Sequence, residues 1–110
     1  MSEEVKEITV EELKKKIDSG DPIFLLDVRE EFEYQISNLE GALIPLGKLP
    51  DRIGEIEDKS ADEVIVMCRS GARSAKAVQL LQSKGFKNVK NLAGGINQWA
   101  REIDKSMPVY

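Results

Sequence analysis

The chain has 110 residues, one cysteine, no histidine, and a formal net charge of −4 from 16 basic and 20 acidic side chains. That length suits one compact domain over residues 1–110. Without histidine there is no Ser-His-Asp triad, Cys-His dyad or imidazole metal ligand, and one cysteine makes no internal disulfide, CxxC pair or zinc cluster.

The acidic balance also argues against nucleic acid as a partner, since binders of nucleic acid carry a clustered positive face. No run approaches the roughly 18 apolar residues of a membrane span, and the opening Met1-Ser2-Glu3-Glu4-Val5-Lys6-Glu7 lacks the basic and apolar regions of a signal peptide. A lone cysteine fits a reducing compartment, so a soluble cytoplasmic domain is expected. Neither metal nor cofactor is expected.

In chain order, Glu7-Ile8 is a short strand candidate. Thr9 and Glu12 form a capping box for a helix with Val10, Leu13 and Ile17 on its inner face and Gly20 at its end. Ile23 to Leu26 is apolar throughout, as in a strand of a parallel sheet covered on both faces. Glu30 to Ile36 reads as a short helix, Leu43-Ile44 as a short strand, and Lys48 to Ile56 as a further helical segment. Val64 to Met67 repeats the fully apolar strand pattern. Ser74 is placed to cap a helix carrying Ala77, Val78 and Leu81 inward, with Gly85 as its stop. Lys87 to Asn91 is a strand candidate, and Gly94-Gly95 opens a last helix with Ile96, Trp99 and Ile103 inward. Strands alternating with helices predict an α/β domain, a parallel sheet of about five strands with helices on both faces.

Ligands of such sheets sit beyond the carboxyl ends of the strands. Asp27-Val28-Arg29 and Cys68-Arg69-Ser70 both lie there. After the second apolar strand come Cys68, then Arg69-Ser70-Gly71-Ala72-Arg73-Ser74, then a helix. A short loop of small residues entering a helix can turn consecutive N–H groups inward as an anion-binding nest. Cys68 at its edge would have its thiolate favoured, below the roughly 8.5 of a free thiol. Arg69 and Arg73 add positive charge. An inert, buried cysteine is the alternative reading for an isolated thiol, and it is this setting that favours a nucleophile.

Four segments resemble a single rhodanese-homology domain of the sulfurtransferase family across essentially the whole length. They are Leu25-Leu26-Asp27-Val28-Arg29-Glu30, then Glu33-Tyr34 through Gly41-Ala42 and Ile44-Pro45-Leu46, then Cys68 to Ser74, then Asn91-Leu92-Ala93-Gly94-Gly95-Ile96 with Trp99. The family's usual Gly-His-Ile-Pro is replaced by Ser37-Asn38-Leu39-Glu40. The ending, Trp99 to Tyr110, is similar to rhodanese domains fused behind E1-like adenylyltransferases of molybdopterin synthesis and tRNA thiolation. The 110 residues hold no adenylyltransferase domain, so the resemblance reads as a free-standing relative or an excised domain.

The resemblance implies a sulfurtransferase in which Cys68 takes a sulfane sulfur from thiosulfate or a persulfide donor. An acceptor such as cyanide, a thiol or a sulfur-carrier protein then collects it. Arg69, Ser70, Gly71, Ala72, Arg73 and Ser74 would form the anion-binding loop, with Arg69 either selecting an anionic donor or merely facing solvent and Arg73 anchoring the loop and the anion together. Asp27 and Arg29 are supporting residues, as a structural ion pair or N-cap, or through hydrogen bonds that position the loop or its arginine. Asn38 either lines the cleft or caps a helix end.

Two other readings stand beside this one. Cysteine phosphatases and arsenate reductases also cradle an anion between cysteine and arginine, but place the arginine one position further on. A non-catalytic regulatory or sulfur-carrying rhodanese module is the other, against which the intact Cys68 argues.

Overall fold

The computed structural model describes residues 4–109. The stretch read as lacking a signal peptide begins at Met1, and residues 1–3, like Tyr110, lie outside the described residues. Five parallel strands are present: β1 (Glu7–Ile8), β2 (Ile23–Asp27), β3 (Ala42–Leu43), β4 (Glu63–Met67) and β5 (Asn88–Leu92). They lie in the order β1-β5-β4-β2-β3, so β4 is central. The helices are α1 (Val10–Asp18), α2 (Glu31–Ile36), α3 (Leu49–Arg52), α4 (Ala72–Ser83) and α5 (Gly95–Glu102). Short 3-10 turns flank α3, which breaks the helical segment expected from Lys48 to Ile56.

The apolar runs from Ile23 to Leu26 in β2 and from Val64 to Met67 in β4 explain the layering. In β4, Val64 and Val66 face one way and join Leu26, Val28 and Cys68 with Ala77, Val78 and Leu81 of α4 and Leu49 of α3. Ile65 and Met67 face the other way, into a second core with Val10 and Leu13 of α1 and Ile96 and Trp99 of α5. Helices therefore cover both faces. Burial of each such aliphatic side chain contributes about 1.5–3 kcal/mol, which is what fixes the strand register.

The start of α1 follows its sequence closely. Thr9 Oγ1 accepts from the Glu12 N–H at 3.1 Å, and the Glu12 carboxylate accepts from the Thr9 N–H at 2.9 Å. Gly20, with φ +72°, carries the chain out of the helix. Ile17 departs from expectation. It is 42% exposed at the rim of an open cavity of about 440 Å³ that Ile23, Leu25 and Leu39 also line, because the helix ends before a covering element reaches it.

The start of α4 requires a correction. Ser74 is not its cap. Gly71 takes a left-handed conformation (φ +110°), so the chain enters the helix at Ala72. A residue with no Cβ reaches that conformation without strain. Ser74 then lies inside the first turn, and its hydroxyl faces the preceding loop.

Candidate active site

The carboxyl ends of β2 and β4 are neighbours: Asp27 pairs with Met67 in the sheet register, and the Val28 N–H donates to the Met67 carbonyl at 3.0 Å. Cys68 follows Met67 directly and is only 1% exposed. Its Sγ accepts hydrogen bonds from the Gly71 N–H at 3.1 Å, the Ser74 N–H at 3.4 Å and the Ser74 hydroxyl at 3.3 Å. Burial alone would push the Cys68 thiol up. Hydrogen bonds from the Ser74 hydroxyl and from the Ser74, Gly71 and Ser70 N–H groups outweigh it, so its pKa is held below the ordinary thiol value. Such bonds are stronger to a charged acceptor than to a neutral one.

Three elements hold this loop in shape. At the start of α5, the Ile96 N–H donates to the Cys68 carbonyl at 2.9 Å and the Asn97 N–H to the Arg69 carbonyl at 3.1 Å. That approach needs Gly95, at φ +62°: a Cβ there would lie 2.5 Å from both the Cys68 and the Arg69 carbonyl oxygens. From β5, the buried Asn91 donates through Nδ2 to the Gly71 carbonyl and to the Glu7 carboxylate, each at 3.1 Å. Its Oδ1 accepts from the Ser74 hydroxyl.

The third support comes from α2, where Glu33 takes both terminal nitrogens of Arg73, at 2.7 and 2.8 Å. The Arg73 guanidinium pulls the Glu33 pKa down to about 2, against the effect of burial and with help from the Glu30 N–H and the charge of Arg29. Arg73 therefore ties the loop to α2, and its charge is matched there.

Asp27 and Arg29 form a buried ion pair with 1% of each side chain exposed. Asp27 accepts from the Arg29 N–H and Nε at 3.0 Å and from Nη2 at 2.8 Å. The guanidinium also donates to the carbonyls of Glu33 (3.3 Å) and Ser37 (2.8 Å). Asp27 accepts its hydrogen bonds from Arg29, and the loop's arginine donates to Glu33. The ion pair is the one of the expected arrangements that the structure places here. Its influence on the loop passes through α2.

Arg69, Ser70 and Ala72 are exposed on the outer side of the loop. Asn38 caps α2, donating to the Tyr34 carbonyl at 3.1 Å while its Oδ1 accepts from the Glu40 N–H at 2.8 Å. Among the described residues, no group of three or more Cys, Asp or Glu side chains is arranged to hold a metal ion, and no helix is long and apolar enough to cross a membrane.

Sequence reasoning did not single out Glu33 or Asn91 as members of the site. Glu33 is concealed because it also serves as the third helical residue of a capping box with Glu30, whose N–H donates to it at 3.0 Å. Asn91 did leave a signal. A polar amide between Val89 and Leu92 in a buried strand needs a specific partner.

Comparison with known proteins matches residues 9–102 to the Rhodanese-like domain. The chain is 41% identical over 109 residues to Adenylyltransferase and sulfurtransferase MOCS3-2 of Zea mays, covering 94% of this chain and 23% of that protein. It is 36% identical over 101 residues to the putative sulfur carrier protein YrkF of Bacillus subtilis, covering 91% of this chain and 54% of that one. Among solved structures, SSP1007 from Staphylococcus saprophyticus superposes with a TM-score of 0.78 at 34% identity, over 90% of this chain and 97% of that one. The chain thus spans about a quarter to a half of the length of these two longer relatives, and nearly all of the compact one. The parallel sheet, the cysteine loop at the end of β4 and these matches together establish that the chain belongs to the rhodanese-like domain family.

Proposed function

We propose that the chain is a sulfurtransferase that carries a sulfane sulfur on Cys68. The observation that supports this most is the hydrogen bonding of Sγ: backbone N–H groups and one hydroxyl converge on a sulfur held as an easily formed thiolate. In the first step Sγ attacks the outer sulfur of thiosulfate. A new S–S bond forms as the donor's S–S bond breaks, and sulfite leaves with the electron pair. A donor persulfide reacts in the same way, with a thiolate as leaving group. In the second step a nucleophile, cyanide in the simplest case, attacks the outer sulfur of the Cys68 persulfide, and the electron pair returns to Sγ. The sulfur passes from donor to Sγ to acceptor as a neutral atom, so no external oxidant or reductant is needed. Convergent N–H groups stabilise the anionic sulfurs as an oxyanion hole stabilises oxygen.

Two features shape the role. The chain has one cysteine, so the persulfide has no internal thiol to resolve it and must meet an external acceptor. Arg69, exposed at the loop, adds positive charge where an anionic donor would approach. The relatives named as sulfurtransferase and as sulfur carrier favour a protein donor or acceptor in addition to small sulfur compounds. A reducing compartment suits a lone reactive thiol, so a cytoplasmic location is proposed, to be checked by fractionation of producing cells.

The phosphatase reading is disfavoured on a specific ground: Arg73 has both terminal nitrogens engaged by Glu33 and so is not set to clasp a phosphate. The assay is thiocyanate formation from thiosulfate and cyanide. Wild type is expected to turn over and Cys68→Ser to give only the uncatalysed rate. Equal rates for the two proteins, or hydrolysis of an aryl phosphate abolished by Cys68→Ser, would overturn the reading.

A further inference from the structure

Asn91 is buried and contacts both loop residues that donate to Sγ. Its amide can sit only one way round. Nδ2 lies 3.1 Å from the Gly71 carbonyl and 3.1 Å from the Glu7 carboxylate, and reversing the amide would set its oxygen against two acceptors. Oδ1 is thereby turned to Ser74. The Ser74 hydroxyl has a single hydrogen and two acceptors in reach, Asn91 Oδ1 and Cys68 Sγ. Ser74 is fully buried.

We propose that Asn91 is a positioning residue that governs the ionisation of Cys68 by competing with its sulfur for the Ser74 hydroxyl hydrogen. With Cys68 as a thiol, Ser74 donates to Asn91 and can accept from the S–H. When the thiol loses its proton, the hydroxyl turns to Sγ and Asn91 Oδ1 gives up that bond. Once Sγ carries the outer sulfur, the negative charge moves outward and the hydroxyl returns to Asn91. The hydroxyl thus follows the charge through the cycle, and Asn91 keeps the thiolate from being stabilised so strongly that it no longer attacks. This inference takes its catalytic meaning from the sulfurtransferase reading above.

The test is a double-mutant cycle read by the pH midpoint of Cys68 alkylation with iodoacetamide. The single cysteine makes that signal unambiguous, and the measurement requires no sulfur transfer. A failed thiocyanate assay would therefore count against the sulfurtransferase reading and leave this result standing. The charged groups around the loop are Glu7 on β1, Arg69, Arg73 with Glu33, and the Asp27–Arg29 pair. All are present in every variant and cancel in the cycle.

With Ser74 present, Asn91→Leu is expected to lower the midpoint by roughly half a pH unit or more. In the Ser74→Ala background it is expected not to lower it. A midpoint unchanged or raised by Asn91→Leu with Ser74 present, or lowered equally in both backgrounds, overturns the proposal. Should Asn91→Leu fail to fold by circular dichroism, Asn91→Asp retains an acceptor facing Ser74. It is then expected to raise the midpoint more with Ser74 than with Ser74→Ala, and equal shifts overturn the proposal.

Discussion

At the carboxyl end of β2, Asp27 and Arg29 are buried as an ion pair, and the guanidinium also donates to the carbonyls of Glu33 in α2 and of Ser37 at its end. At the carboxyl end of β4, one strand away, Cys68 is equally buried, and its environment is of another kind. N–H groups and a hydroxyl converge on its sulfur. Both ends combine a reactive-looking residue with nearby arginine. The first is closed in the sense that its two charges are paired with each other and buried. The second favours a negative charge that is not permanently there. Polar groups at strand ends are thus informative only once their partners are known.

The largest effect is expected from breaking the closed end. Arg29→Met leaves Asp27 buried without its partner, which costs about 3–5 kcal/mol of folding stability, measured by urea denaturation. Because Arg29 also fastens α2, from which Glu33 holds Arg73, a smaller loss of thiol reactivity should follow in the protein that remains folded. A stability change under about 1 kcal/mol would mean the pair is not sealed from water.

Gly95→Ala comes next. It places a Cβ against the Cys68 and Arg69 carbonyls on a left-handed backbone, at a cost of about 3 kcal/mol. Since the clash falls on the loop itself, the rate of thiocyanate formation should fall even where the variant is folded. Full activity would show that the loop does not depend on this close approach.

Glu33→Gln removes the carboxylate that holds Arg73. The pKa of Glu33 is lower in the folded chain, from an ordinary 4.5 to about 2, so its ionised form adds stability. That contribution is complete above about pH 4.5 and is lost as the pH falls toward 2. Between those limits the wild type should lose stability more steeply than Glu33→Gln, and parallel acid profiles would contradict the pairing. The smallest effect is expected at Arg69, which is exposed: Arg69→Gln should raise KM for thiosulfate more than it lowers kcat, and an unchanged KM would remove its part in donor selection.

Where local chemistry decides the structure, the sequence could be read directly. The capping box of Thr9 and Glu12 and the apolar runs within β2 and β4 are of this kind. Cys68 was legible for the same reason, since strand, loop and helix around it are contiguous. The contacts that hold the loop were not. Glu33 meets Arg73 forty residues away, and Asn91 meets Ser74 seventeen away. Such pairings depend on how α2 and β5 pack, which no local pattern states. Ser74 shows the cost of a purely local rule. A serine before a helix usually caps it, but here Gly71 turns the chain earlier and frees the hydroxyl for the sulfur.

The most direct test of the central claim is an intact-mass spectrum of the chain after incubation with thiosulfate, recorded for wild type and for Cys68→Ser. Wild type should gain the mass of one sulfur atom and lose it on addition of cyanide, with thiocyanate appearing in equal amount, while Cys68→Ser gains nothing. An unchanged mass for wild type with thiosulfate and with a persulfide donor, or the same gain in both proteins, would contradict the assignment of Cys68 as the sulfur carrier.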